Sequence, residues 1–247
     1  MSEKITTTLD DGVLRIVFDR PEARNALTKK LYAELRDIYR SAYLDDSVTA
    51  VVLQGTQGNF AVGGDLKEML SSLNDRSLDI FGYDEAVPFE AIRSLPKPTI
   101  AAIDGLCLGG GLTIALCSDI AIATERSKFG MPESRVGVVD GHMPRLLRDR
   151  VPPAILRYWL YSGTTFSAAD AFAGGLLTKV VPNDGLEAAV SEVLGQLAKA
   201  SPIAIRNYKK ILNETRPLSS MEDAYETMLG SDALERINRF AQRSSAK

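Results

Sequence analysis

Apolar positions in the first half of the chain recur with the spacing of short strands that alternate with helices. Apolar runs predict strands over residues 5–9, 13–18, 50–53, 99–103 and 119–124. The polar turn Asp10-Asp11-Gly12 between the first two is typical of a hairpin. A helix over residues 28–44, with Thr28 as N-cap, is predicted by apolar residues at helical spacing: Leu31, Leu35, Ile38 and Tyr39. Strands that alternate with helices favour an α/β domain built on right-handed crossovers.

The second half of the chain is patterned mostly as helices. Helices are predicted over residues 66–73 and 85–94, from Gly110 onward, and then over residues 153–161, 168–173, 186–200, 202–212 and 221–240. Ser167 is a predicted cap, and residues 219–222 (Ser-Ser-Met-Glu) form a capping-box signature. Residues 71–84 are polar and irregular, and no internal repeat is present in the sequence. We divide the chain into a core over residues 1–185 and a C-terminal helical region over residues 186–247, which packs on the core, on a neighbouring subunit or on both.

Composition narrows the class of protein without identifying it. The 247 residues are 45% hydrophobic and 25% charged, which is typical of one globular domain or of a domain with a helical appendage. The net charge of −3 argues against a broad nucleic-acid-binding face. Two cysteines and one histidine make a structural metal site unfavourable, so no metal is expected. Without a signal-like N-terminus or a membrane-length apolar run, the sequence predicts a soluble, cytoplasmic protein with no membrane partner.

The most informative local feature is the triple glycine Gly109-Gly110-Gly111, which follows a predicted strand and opens an apolar segment. Consecutive glycines cost backbone entropy, so they are expected where a Cβ atom would obstruct a close approach. A strand-to-helix turn exposes backbone N–H groups at the start of the helix. Such groups stabilise negative charge, either on a bound anion or on a developing oxyanion.

Several segments together resemble the crotonase (enoyl-CoA hydratase/isomerase) superfamily. Residues 59–69 (Asn-Phe-Ala-Val-Gly-Gly-Asp-Leu-Lys-Glu-Met) and 101–111 resemble its two oxyanion-hole segments, and residues 129–137 (Phe-Gly-Met-Pro-Glu-Ser-Arg-Val-Gly) resemble its catalytic-glutamate loop. Residues 20–27 and 168–176 add further matches, and the ordered set covers about residues 5–215. The resemblance implies an α/β, crotonase-like spiral of ββα units with a C-terminal helical region, assembled as a homotrimer or a dimer of trimers. It implies acyl-CoA substrates, with coenzyme A as part of the substrate and no separate cofactor.

The resemblance also implies roles for particular residues. The backbone N–H groups of Gly64 and Gly110 would stabilise a thioester enolate, where one such donor is worth about 10²–10³ in rate. Glu133 would move protons. Residues expected to contact the coenzyme A portion are Arg24, Ala61, Val62, Gly63, Asp65, Leu66 and Lys67. Residues 75–88, including Tyr83, and Phe240 in the last predicted helix would wall the acyl pocket.

One position departs from the family pattern. Hydratases of the family carry a second glutamate two positions after the triple glycine, and here that position is Thr113. A hydroxyl can hold water or a substrate oxygen, but it cannot exchange a proton near neutral pH as a carboxylate does. With Glu133 alone, isomerase or single-base lyase chemistry is favoured over simple hydration.

Two alternatives stay open at this point. In the first, the chain is a hydratase that uses Glu133 together with Asp140 or with a water held by Thr113. Asp140 follows Glu133 by seven residues, but it is equally consistent with a cap of the turn before Gly141. His142 is a weaker candidate for the same acid–base role. In the second alternative, the chain is a catalytically weak acyl-CoA-binding protein that has kept the scaffold.

Overall fold

The strands form two sheets, and the strands in the middle of the chain alternate between them. The computed structural model describes residues 4–68, 71, 85–137 and 139–213. Along these residues the strands are β1 (Ile5–Asp10), β2 (Val13–Phe18), β3 (Ala50–Gly55), β4 (Asn59–Ala61), β5 (Thr99–Ile103), β6 (Leu106–Leu108), β7 (Ile120–Thr124), β8 (Lys128–Gly130), β9 (Thr165–Ser167) and β10 (Lys179–Val181). One sheet has the order β1-β2-β3-β5-β7-β10, and the other has the order β4-β6-β8-β9.

Helices connect and cover these strands. They are α1 (Lys29–Leu44), α2 (Phe89–Ser94), α3 (Gly110–Cys117), α4 (Met143–Leu147), α5 (Pro153–Ser162), α6 (Ala168–Ala173), α7 (Leu186–Leu197) and α8 (Pro202–Asn213). Short 3-10 helices span Pro21–Ala23 and Pro132–Val136. None of the helices within the described ranges is both long enough and apolar enough to cross a bilayer.

The topology confirms the predicted spiral of ββα units. Each of the strands β3, β5 and β7 enters the first sheet, and the next strand, β4, β6 or β8, enters the second sheet. The strands β2, β3, β5, β7 and β10 are parallel, whereas β1 joins β2 antiparallel. The β1–β2 turn uses Asp11 and Gly12, both with positive φ (44° and 77°), as a two-residue hairpin requires. The repeat therefore exists in the topology although the sequence shows none.

The long predicted helix is confirmed as α1, and its cap and buried face explain its position. The Thr28 hydroxyl accepts a hydrogen bond from the Leu31 N–H at 3.2 Å, which satisfies one of the unpaired donors at the helix start. The buried face of α1 includes Leu31, Leu35 and Tyr39, as predicted from their spacing, and also Tyr32. Ser167 caps α6 through a reciprocal capping box with Asp170.

Some elements were not predicted, and some predictions cannot be compared. Helix α4 and the strands of the second sheet, three residues each, are too short to produce a period in the sequence. The predicted helix over residues 221–240, its capping signature, and most of residues 66–84 lie outside the described residues. The division at residues 185 and 186 stays a prediction. Helix α7 packs on the first sheet. Its residues Ala189 and Val190 belong to a buried apolar cluster that also contains Ile100 of β5.

Helix α8 is attached to the core by a partly buried ion pair. The Lys209 ammonium donates to the Asp119 carboxylate at 2.7 Å and to the Lys97 carbonyl at 3.1 Å. Asp119 also accepts hydrogen bonds from the backbone N–H and the hydroxyl of Thr99, both at 2.8 Å. Burial lowers the pKa of Lys209, and the neighbouring Asp119 opposes that shift. The ion pair joins α8 to the ends of two central strands.

Candidate active site

The start of helix α3 touches the segment that follows β4, and glycines make this contact possible. A Cβ atom at Gly111 would overlap the Ala61 carbonyl and lie 2.8 Å from the Ala61 Cβ. A Cβ atom at Gly63 would lie 3.2 Å from the backbone nitrogen of Gly110, and Gly63 also has a φ of 89°. The two glycine-containing segments that the sequence analysis singled out are therefore in backbone contact.

Each of the two segments offers one backbone N–H group. The Leu27 N–H donates to the Gly63 carbonyl at 2.8 Å, and the Asp65 N–H donates to the Leu27 carbonyl at 2.9 Å. Because a trans peptide directs its N–H opposite to its C=O, the N–H of Gly64 points away from Leu27. Gly110 is the first residue of α3, so its N–H has no partner inside the helix. Within the described part of the chain, neither N–H donates to a backbone carbonyl.

Glu133 lies against the same helix start. It belongs to the 3-10 helix Pro132–Val136, which follows β8, and its Oε1 atom is 2.7 Å from the place that a Cβ of Gly109 would occupy. Burial raises the pKa of Glu133; a hydrogen bond to its own backbone opposes the shift, and the charge of Asp140 adds to it. A carboxyl group with a raised pKa beside two backbone donors is suited to proton transfer.

Asp140 meets Thr113, the residue at the position that departs from the family pattern. The Thr113 hydroxyl is buried and donates to Oδ2 of Asp140 at 2.7 Å. The Asp140 Oδ1 atom accepts hydrogen bonds from the backbone N–H groups of His142 (2.7 Å) and Met143 (3.0 Å), at the start of α4. Asp140 thus caps the turn before α4, as one reading of the sequence predicted, and it also contacts Thr113; its catalytic role stays a prediction.

A carboxylate can accept about four hydrogen bonds, and Asp140 accepts three from these groups. The unused capacity is on Oδ2, next to Thr113. Helix α3 places Thr113 three residues after Gly110, so the two residues lie on the same face. Oδ2 of Asp140 can therefore accept one further hydrogen bond, from water or from a substrate donor, beside that face of α3.

Tyr32 is a residue of the site that sequence reasoning missed. A Cβ atom at Gly110 would overlap the Tyr32 hydroxyl oxygen, so the phenol packs on the helix start. Tyr32 is 3% exposed. The helical spacing of α1 predicted Leu31 and Leu35 as the buried face. It gave no signal that the neighbouring Tyr32 contacts Gly110, which lies 78 residues later in the sequence.

The residues predicted to contact coenzyme A differ in exposure: some are buried or half-buried, and the others are exposed. Asp65 is engaged within the protein: it forms an ion pair with Arg20 at 2.7 Å and accepts from the N–H of Lys67 at 2.9 Å. Burial opposes its ionisation, but these hydrogen bonds outweigh burial and lower the pKa of Asp65. Ala61 and Gly63 are buried, and Val62 is half-buried. Arg24, Leu66 and Lys67 are exposed at the surface. Their predicted role in binding coenzyme A stays a prediction.

Metal and thiol chemistry have little support in the part of the chain that the structure describes. No three His, Cys, Asp or Glu side chains among those residues are grouped so that they could hold a metal ion. Cys107 and Cys117 are both buried and unpaired. Burial raises the pKa of Cys117 to about 12 and raises that of Cys107 well above its ordinary value, so neither is a thiolate near neutral pH.

Comparisons with known proteins show the family and the fold of the chain. A family model described as enoyl-CoA hydratase/isomerase matches residues 8–233. The sequence is 30% identical to a crotonyl-CoA hydratase of Syntrophomonas wolfei, with 99% of this chain and 97% of that protein aligned. It is 31% identical to a carnitinyl-CoA dehydratase of Proteus mirabilis, with 99% of this chain and 98% of that protein aligned. The fold matches a crystal structure of an enoyl-CoA hydratase from Polaromonas sp. JS666 with a TM-score of 0.89, at 27% identity and with 97% of each chain covered.

The close approach at Gly111 predicts an asymmetry between two glycines in helices. Gly111→Ala should destabilise the protein and reduce activity, because its methyl group would overlap the Ala61 backbone. The matched change Gly195→Ala, inside α7 with nothing within 4 Å, should stabilise the fold by about 0.5–1 kcal/mol. Urea unfolding of both variants checks this, and equal effects of the two changes would contradict it.

The raised pKa of Glu133 predicts a pH-dependent effect on stability. Since the pKa is higher in the folded state, the stability linked to this group is present below the unfolded pKa and is lost as the pH rises through the folded pKa. Glu133→Gln removes the ionisable group, so the variant should gain stability over wild type at pH 8, and the gain should shrink toward pH 4. Urea unfolding across this range measures it, with Glu22→Gln on the surface as control. A gain that does not depend on pH would contradict the burial argument.

Proposed function

The chain belongs to the enoyl-CoA hydratase/isomerase family, and from that membership we propose that it catalyses the reversible addition of water to a 2-enoyl-CoA thioester. The names of its relatives, a crotonyl-CoA hydratase and a carnitinyl-CoA dehydratase, support hydration and dehydration chemistry. The observation that carries the proposal is the 2.7 Å hydrogen bond from Thr113 to Asp140. It brings a second carboxylate to Thr113, the position at which this sequence lacks the second glutamate of the family's hydratases.

The backbone donors stabilise the charge that develops in this reaction. When a water oxygen bonds to the β-carbon of the enoyl group, an electron pair moves toward the thioester oxygen and forms an enolate. The N–H groups of Gly64 and Gly110 donate to that oxygen, and they do so without a proton transfer of their own. Preorganised donors of this kind contribute more to the transition state than to the ground state, which is the condition for catalysis.

Glu133 and Asp140 have different roles toward the attacking water. Glu133 takes one proton from the water as the oxygen bonds to the β-carbon, and it returns a proton to the α-carbon, so its ionisation state is unchanged at the end of the cycle. Asp140 accepts the other hydrogen of the water through Oδ2 and orients the attacking oxygen. Thr113 is a positioning residue, because its hydroxyl fixes Oδ2 and does not itself exchange a proton.

A second candidate function is the shift of a double bond from the 3- to the 2-position, with Glu133 as the single proton carrier. The sequence analysis favoured this chemistry. One observation keeps it as a candidate: Asp140 already accepts three hydrogen bonds, two of them from the backbone N–H groups of His142 and Met143, so its carboxylate also has a purely structural use. In the isomerase, Asp140 would not touch the reacting atoms.

Further expectations accompany the proposal. We propose that the exposed Arg24 and Lys67 contact the phosphates of coenzyme A, and that backbone groups of residues 61–66 contact the adenine and pantetheine. A homotrimer or a dimer of trimers, and a cytoplasmic location, also stay predictions. A catalytically weak acyl-CoA-binding protein is disfavoured because Glu133 is present and its pKa is raised by burial.

Crotonyl-CoA hydration tests the proposal. The wild-type protein should hydrate crotonyl-CoA, and Glu133→Gln should lower kcat by about 10²–10⁴. Asp140→Asn should also lower kcat by at least about 10². Thr113→Val should have a smaller effect than Asp140→Asn, and Thr113→Ser, which keeps the donor, should restore most of the loss.

The contrary outcome is equally specific. If the wild-type protein fails to hydrate crotonyl-CoA but converts 3-hexenoyl-CoA to 2-hexenoyl-CoA, and if Asp140→Asn retains that conversion, the isomerase is the correct function. If Glu133→Gln leaves both reactions unchanged, neither function stands.

A further inference from the structure

Three aromatic side chains form a continuous surface beside the start of α3, and we refer to Tyr32, Phe89 and His142 as the aromatic wall. The Tyr32 and Phe89 rings are in an edge-to-face arrangement with centroids 6.4 Å apart. The Phe89 and His142 rings are also edge-to-face, with centroids 4.8 Å apart. The three residues come from α1, from α2 and from the cap of α4, so the wall joins three separate parts of the chain.

Both ends of the aromatic wall return to the proposed catalytic groups. At one end the Tyr32 hydroxyl packs on Gly110. At the other end the His142 Nδ1 atom lies 3.9 Å from Oδ1 of Asp140, and the other carboxylate oxygen, Oδ2, accepts the hydrogen bond from Thr113. Since Gly110 and Thr113 share one face of α3, the contacts form a closed ring around the space next to that face.

The proposed positions of the thioester oxygen and the β-carbon indicate which part of this ring of contacts the rest of the acyl group would meet. In the proposed reaction the thioester oxygen binds at Gly110 and the β-carbon lies near the water held by Asp140. Carbons beyond the β-carbon then continue past Asp140, and the next side chains along the ring are His142 and Phe89. Tyr32 and Phe89 are 3% and 8% exposed, so both rings are packed against their neighbours.

We propose that the aromatic wall limits the enzyme to short acyl groups, of about four carbons, and that Phe89 is the main specificity-determining residue. The inference rests on the proposed function for the position of the acyl group. Its physical basis is packing: interiors are close to fully packed, so a longer chain enters only if a ring moves out of its place.

Binding of saturated acyl-CoA thioesters tests the wall without requiring turnover. Each methylene that enters an apolar pocket strengthens binding about fourfold. For the wild-type protein, calorimetric titration should show that octanoyl-CoA binds no more than about twofold tighter than butyryl-CoA, well short of the gain that four buried methylenes would give. For Phe89→Ala, octanoyl-CoA should bind at least about tenfold tighter than butyryl-CoA, because the space left by the ring accepts the added methylenes.

Two further variants keep the test decisive. Tyr32→Phe keeps the ring and removes the hydroxyl, so the ratio of octanoyl-CoA to butyryl-CoA affinity should stay at the wild-type value. His142→Ala opens the half-exposed end of the wall without the risk of unfolding that attends the buried Phe89, and it should shift the ratio in the same direction as Phe89→Ala.

The outcomes separate failure of the wall from failure of the function. A wild-type affinity that grows about fourfold per methylene up to octanoyl-CoA would overturn the wall. So would folded Phe89→Ala and His142→Ala variants with the wild-type ratio. If butyryl-CoA binds with the expected ratios but crotonyl-CoA is not hydrated, the proposed function fails and the wall stands.

Discussion

The rest of the site depends on the contact between the start of α3 and the segment after β4. Gly111 fits over Ala61 only because it has no Cβ, and Gly63 approaches the Gly110 nitrogen under the same condition. The bridge from Leu27 to Gly64 orients the neighbouring peptide so that the N–H of Gly64 points away from Leu27. Two donors from distant parts of the sequence are thereby held together by rigid backbone, and donors that are fixed in advance cost no reorganisation during a reaction.

Two carboxylates, those of Glu133 and Asp140, lie near the start of α3. Glu133 comes from the loop after β8, as the family resemblance implied. The second carboxylate comes from a loop rather than from α3, and Thr113 gives it an anchor on the helix where a glutamate is otherwise expected. In the proposed reaction, a hydroxyl on the helix and a carboxylate from a loop take the place of a carboxylate on the helix. The same loop also brings His142 against Phe89, so the segment that carries Asp140 also forms part of the proposed aromatic wall.

Local signals in the sequence predicted the longer strands and most of the helices, whereas they did not predict contacts between distant parts of the chain. Thr28 and Ser167 were predicted as caps because a cap depends on three or four consecutive residues. The glycine-rich segments and Glu133 were placed together through the family resemblance. Tyr32 was missed, because nothing in the spacing of α1 shows which loop its hydroxyl will meet. The sequence left Asp140 between a turn cap and a catalytic role, and only three-dimensional contacts show that the carboxylate that caps the turn also meets Thr113.

The central claim is that the N–H groups of Gly64 and Gly110 polarise a thioester carbonyl. Isotope-edited infrared difference spectroscopy of butyryl-CoA labelled with ¹³C at the carbonyl carbon measures this polarisation directly on the bound ligand. Donation by two backbone N–H groups predicts that the carbonyl band moves to lower frequency on binding, and that the shift persists in Glu133→Gln, which leaves both donors in place. A carbonyl band that keeps its solution frequency when the ligand is fully bound would contradict the account.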